Sequence, residues 1–194
     1  MFPDRPVRSF VALPCPPGLR EAIASALSRW SSIDAAVKWT DPAKLHLTLR
    51  FLGDAPPERL RKLHRGLRES AGAAEPIRLA PSSTGVFPGW DRPRVLWLGF
   101  EESARLARLA EAIEADARAA GFEPEERDFH AHLTVGRVKA GRGIRRVVEE
   151  LRGWSPGVEP ETADEAVLYR SELSSEGPRY TAMARYPLGG AEEA

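Results

Sequence analysis

A four-residue pattern occurs twice in this chain, as His46-Leu47-Thr48-Leu49 and as His132-Leu133-Thr134-Val135. In each copy a histidine and a threonine stand two apart with aliphatic residues between and after them. Alternation of this kind marks a half-buried strand. Residues two apart on a strand point to the same side, so each copy presents an imidazole and a hydroxyl on one face while its aliphatic residues anchor the other. A histidine in an apolar strand is by itself more often structural than functional. Here two of the chain's four histidines carry the same pattern, and two such strands side by side make a four-group site.

The chemistry open to that site is acid and base catalysis on a phosphoryl group. Imidazole gives or takes a proton near neutral pH, and hydroxyls donate to phosphoryl oxygens. To open a cyclic phosphate, one group takes the proton of an attacking water and another protonates the leaving ribose oxygen. With ordinary pKa values near 6.5, one imidazole can be neutral and the other protonated at cellular pH, so the scheme asks for no metal and no cofactor. Thr48 and Thr134 are the candidates to hold the non-bridging oxygens through the transition state.

Composition narrows the partners. The 194 residues are 42% hydrophobic and 29% charged, ordinary for a soluble globular chain, and enough for one sizeable core or two small lobes sharing one. Formal net charge is zero, so no global basic field draws the chain to nucleic acid, and any RNA contact must be local. Only four of the 28 basic residues are lysines, and an arginine in a cleft suits bidentate phosphate binding. Cys15 is the one cysteine, which excludes an internal disulfide and a cysteine-rich zinc site. The apolar stretch from Phe10 to Leu13 is broken by Pro14, Pro16 and Pro17, too short for a secretion signal or a membrane span, and a cytoplasmic location is expected.

Along the chain, periodicity predicts strands over 8–13, 45–52, 94–100 and 129–138, and a hairpin of strands over 166–173 and 179–186 joined by a Ser-Ser-Glu-Gly-Pro turn. Helices are expected from Pro17 to Trp30, from Pro57 to Gly72, from the cap Ser103 to Gly121, and over a short stretch carrying Ile144, Val147, Val148 and Leu151. The breaker-rich stretch from Pro81 to Pro93 reads as a loop or lobe boundary. Strands and helices mix without βαβ alternation or a glycine-rich phosphate loop. The expected class is therefore α+β with largely antiparallel sheets: residues 1–194 as a single domain of two similar lobes, each contributing one motif strand.

The motifs in their settings, residues 37–53 and 129–138, resemble those of the two-histidine (2H) phosphoesterases, and within them the RNA 2',3'-cyclic phosphodiesterases, also called the 2'-5' RNA ligase family. The opening Arg8-Ser-Phe-Val-Ala-Leu13, the Phe87-Pro loop leading to Arg94–Leu98, and the ending from Val167-Leu-Tyr169 through Gly177-Pro-Arg-Tyr180 support the likeness. It implies a bilobal fold with pseudo-twofold symmetry, helices outside and a central cleft. It also implies hydrolysis of RNA 2',3'-cyclic phosphate ends to 2'-phosphomonoesters, with His46 as proton donor and His132 as acceptor. Related outcomes are 2'-5' RNA ligation or hydrolysis of another small cyclic phosphate. A different class, a silent RNA-end or nucleotide-binding module, would not need two titratable groups. Family members often have proline where Ala131 stands and alanine in place of Gly136.

Further candidates carry two readings. Arg137, five residues after His132, would face away in a regular strand, whereas the family uses an arginine there for phosphate; a bulge near Gly136 would reconcile the two. Phe10 and Phe51 offer rings for a terminal base or belong to the core. His130 and His132 invite a metal-binding reading, but no further ligand set of familiar spacing accompanies them.

Overall fold

The computed structural model describes residues 3–174 and 177–190. Ten strands and four α-helices form among these residues, and every strand pairing is antiparallel. The strands are β1 (Val7–Pro14), β2 (Val37–Trp39), β3 (His46–Ala55), β4 (Ile77–Leu79), β5 (Pro81–Phe87), β6 (Val95–Phe100), β7 (His132–Val138), β8 (Glu161–Ala163), β9 (Glu165–Ser174) and β10 (Gly177–Pro187). Eight of them make one sheet in the order β10-β9-β1-β3-β7-β6-β5, with β2 also on β7, while β4 and β8 pair separately. The two motif strands, β3 and β7, are thus central neighbours. They share one backbone pair, Leu47 with Leu133.

The helices are α1 (Pro17–Ser31), α2 (Pro57–Ala73), α3 (Ala104–Ala119) and α4 (Ile144–Arg152). Proline opens α1 and α2, where its missing N–H costs nothing. The Ser103 hydroxyl accepts from the Leu106 N–H at the start of α3. Leu19, Ile23 and Trp30 of α1, Leu60, Leu63 and Leu67 of α2, and Leu106, Leu109 and Ile113 of α3 recur at helical spacing, and all are buried. Helices α1 and α3 exchange halves. Helix α1 follows β1, yet its Trp30 packs on Trp39 of β2 and on Trp154. Helix α3 follows β6, yet packs against α2 and β3. Each half of the sheet is therefore covered by a helix that begins in the other, and the fold is α+β, bilobal and pseudo-twofold about the Leu47–Leu133 pair.

Three short strands, β2, β4 and β8, are absent from the periodicity because three residues are too few to alternate detectably. The stretch 81–93 is corrected in its first half: residues 81–87 are an edge strand, β5, paired with β6. Pro81 begins it, where a missing donor is tolerated. Gly85 is there to seat a ring, since a Cβ at this position would lie 2.1 Å from Trp97. The hairpin of β9 and β10 forms as expected, its turn residues Ser175 and Glu176 lying outside the described residues. No helix among the described residues is long and apolar enough to cross a membrane.

Candidate active site

The register about Leu47 and Leu133 sets His46 across from Thr134 and Thr48 across from His132. Opposed residues of an antiparallel pair lie about 5 Å apart and same-face neighbours about 7 Å, so the four groups form a compact rectangle. All four line one cleft of about 180 Å³, together with Arg137.

Both imidazoles are oriented in the same way. His46 Nδ1 lies 2.8 Å from the Lys44 carbonyl oxygen, and His132 Nδ1 lies 2.7 Å from the His130 carbonyl oxygen. A carbonyl only accepts, so each Nδ1 carries the hydrogen and each Nε2 is left to serve the cleft. Lys44 ends a 3₁₀ turn, Pro42–Lys44, capped by Asp41, whose carboxylate accepts from the Ala43 N–H at 3.0 Å. His130 belongs to the irregular segment before β7. The contribution of His130 is thus its backbone carbonyl, while its side chain is exposed. Among the described residues, no three or more His, Cys, Asp or Glu side chains gather where they could hold a metal ion.

Arg137 reaches the cleft through a β-bulge that the two motif strands share. On β7, Thr134 pairs with Trp97 and Gly136 with Leu96, which leaves Val135 as the extra residue. On β3, Thr48 pairs with Ala12 and Arg50 with Val11, which leaves Leu49 extra at the corresponding place. The bulge turns the fifth residue after each histidine back to the histidine face. That residue is Arg137 in one strand and Phe51 in the other. Gly136 allows the close approach of β2, because a Cβ there would lie 2.9 Å from the Trp39 ring and 3.1 Å from Val37. Lys38, directly opposite Arg137 across β2 and β7, shares its face and lines the cleft.

The two phenylalanines part company. Phe10 is 4% exposed and its ring stacks on His46 at 4.8 Å and on Tyr169 at 5.2 Å, so it backs the imidazole and offers no face to a base. This corrects the base-stacking reading of Phe10: a buried ring between two stacked partners has no room for a third. Phe51 is 37% exposed, with the Arg8 guanidinium 4.6 Å from its centroid. It borders the groove beside residues 122–127 rather than the histidine cleft. Around His132 the rings are Phe87, edge-on at 5.2 Å, and Trp97 at 6.3 Å. Sequence patterns did not single out Lys38, Lys44 or Tyr180 as cleft residues, although all three lie in stretches that carry the family likeness.

Electrostatics changes one expectation. Burial holds the His46 pKa below its ordinary value, with smaller depressions from the charges of His132 and Arg137, and the Lys44 carbonyl opposes them. His132 is likewise lowered, first by burial, then by His130 and Arg137, against the His130 carbonyl. Both shifts favour the neutral imidazole in the free protein. An arriving phosphodiester anion offsets the Arg137 charge and favours protonation of one of the pair.

The fold and the paired-histidine cleft define a two-histidine phosphoesterase. A model of the 2'-5' RNA ligase superfamily matches residues 19–174. An RNA 2',3'-cyclic phosphodiesterase of Methanothermobacter thermautotrophicus is 38% identical over 184 residues, covering 94% of this chain and 99% of that protein. Among solved structures, TT0787 of Thermus thermophilus superposes with a TM-score of 0.76 at 29% identity, covering 95% of this chain and 100% of that one. E. coli LigT complexed with 3'-AMP superposes at 0.74 with 26% identity, covering 94% and 98%. The chain belongs to the 2'-5' RNA ligase superfamily.

Proposed function

We propose that this protein opens 2',3'-cyclic phosphates at RNA ends to 2'-phosphomonoesters by general acid and base catalysis. His132 takes the proton of the attacking water, which approaches phosphorus in line with the 3' oxygen. The P–O3' bond breaks as His46 gives its proton to that oxygen. Thr48, Thr134 and Arg137 balance the charge on the non-bridging oxygens. The two imidazoles supply both proton transfers, so the scheme draws on no metal or cofactor. The 1–194 chain acts here as one domain whose two lobes each lend a histidine and a threonine. RNA carrying the cyclic end is the partner and the cytoplasm the compartment.

The observation that supports this reading is the matched pair of Nδ1–carbonyl hydrogen bonds, which frees both Nε2 atoms for proton transfer in one cleft. The relatives named as RNA 2',3'-cyclic phosphodiesterases agree with it. A short RNA ending in a 2',3'-cyclic phosphate, incubated in EDTA with the wild type and with His132→Ala, tests it. Turnover to the 2'-phosphate by the wild type alone is expected. Turnover only on adding metal, or none on any cyclic-phosphate RNA, overturns the scheme.

A further inference from the structure

Among the described residues, Arg50 is the one charged side chain that is buried, at 8% exposure. Regular alternation after Thr48 would send it into the cleft. The bulge at Leu49 turns it instead to the helix side of β3. There its Nη1 donates to the Phe51 carbonyl at 2.6 Å and its Nη2 donates to the Glu123 carbonyl. Its Nε meets the Glu114 carboxylate of α3 as an ion pair rather than a directed hydrogen bond, and its Nη1 lies 3.6 Å from the Glu125 carboxylate. Glu114 also accepts from the Glu125 N–H at 3.2 Å.

Beyond Phe51, these partners lie on α3 and on the 123–125 segment, which opens the irregular stretch leading to His132. That stretch supplies the His130 carbonyl that fixes the His132 ring. Meanwhile β3 and β7 share a single backbone pair, so ladder hydrogen bonds alone hold the two motifs together weakly. A buried cation is costly to desolvate, and removing its partners leaves an uncompensated charge. Here that charge ties the back of the first motif strand to the approach of the second. We propose that Arg50 is a positioning residue that sets His132 opposite His46 by clamping residues 123–125 to β3. The proposal rests on the cleft being the phosphodiesterase site.

The test uses the full chain with Arg50→Met, Arg50→Lys and Glu125→Gln. Two readouts are taken: hydrolysis of cyclic-phosphate RNA, and the imidazole Nδ1–H signals of His46 and His132 by ¹⁵N NMR. Arg50→Met is expected to lower kcat by about 10- to 100-fold with KM little changed, the scale of a small misplacement of a catalytic group. Arg50→Lys should recover part of that loss. The His132 Nδ1–H signal should weaken while that of His46 persists. A folded Arg50→Met protein with wild-type kcat, or one in which both histidine signals loosen equally, overturns the proposal. Should Arg50→Met fail to fold, Glu125→Gln loosens the Arg50 arm together with the exposed Arg127–Glu125 pair, so Arg127→Gln serves as its control, and an unchanged His132 signal in Glu125→Gln is equally fatal. If the wild type does not hydrolyse the RNA, the assigned reaction fails, while the histidine signals still decide the clamp.

Discussion

At the residue scale the two histidines are equivalent in orientation and unequal in surroundings. His46 is stacked on a buried phenylalanine and set by a capped turn, whereas His132 meets Phe87 edge-on and depends on the irregular 122–131 segment. Replacing either by alanine is expected to cost roughly 10² to 10⁴ in kcat, with KM for the cyclic-phosphate RNA changing far less. Steady-state kinetics on the two variants checks this, and a loss confined to KM would favour a binding module. The lowered pKa of both groups fixes the pH dependence as well. The reactive form carries one proton on the pair, and both groups in the free protein lose theirs below the ordinary histidine value. The bell of kcat/KM, which reports the free enzyme, should therefore centre below about pH 6.5, and that of kcat should lie to its alkaline side, because bound substrate anion raises both values. Coincident bells would contradict the anion's role. These residues were legible because the HxT spacing is a strand-face statement. Phe10 was not: alternation puts it on the cleft face, but only the stacked tertiary neighbours show that its ring is covered.

At the element scale, the duplicated bulge does what neither motif specifies alone. It returns Arg137 and Phe51 to the histidine face and sends Arg50 and Gly136 to the helix side. Sequence could name Gly136 as a place for a bulge, yet the extra residue is Val135, since nothing in a glycine's identity says which neighbour is left unpaired. The space beside Gly136 is filled by Trp39, itself backed by Trp30. Gly136→Ala should therefore destabilise the fold by about 1 to 3 kcal/mol through overpacking, and should lower kcat/KM by displacing Lys38 and Arg137 on the paired strands. Urea denaturation with tryptophan fluorescence, alongside the RNA assay, checks both parts; a variant with unaltered stability would mean that β2 yields freely. Strand β5 escaped notice for a related reason. Its glycine and its proline are breakers by type, but Gly85 is required by the Trp97 ring lying on it, a contact contributed by another strand.

At the scale of the whole molecule, α1 and α3 each pack on the half they do not begin in, so titration at the central cleft is expected to be felt in global stability. His46 and His132, and His64 on α2 which is hydrogen-bonded to Tyr186 of β10, all have pKa values held below the ordinary one, burial being the leading cause for each. A group whose folded pKa is lowered binds its proton more readily in the unfolded chain. Stability from this source is accordingly complete above about pH 6.5 and is lost as pH falls through that value toward the lower folded ones. The urea midpoint should thus decline between pH 7 and pH 5, before most carboxylates titrate. In the double variant His46→Gln/His132→Gln the decline should be shallower, because two of the three proton-linked sites are gone. Inorganic phosphate, which by charge favours the protonated cleft, should raise the wild-type midpoint more at pH 5.5 than at pH 8 and should do little for the double variant. Equal slopes in the two proteins would place the acid sensitivity outside the cleft and detach the histidines from the stability of the fold that holds them.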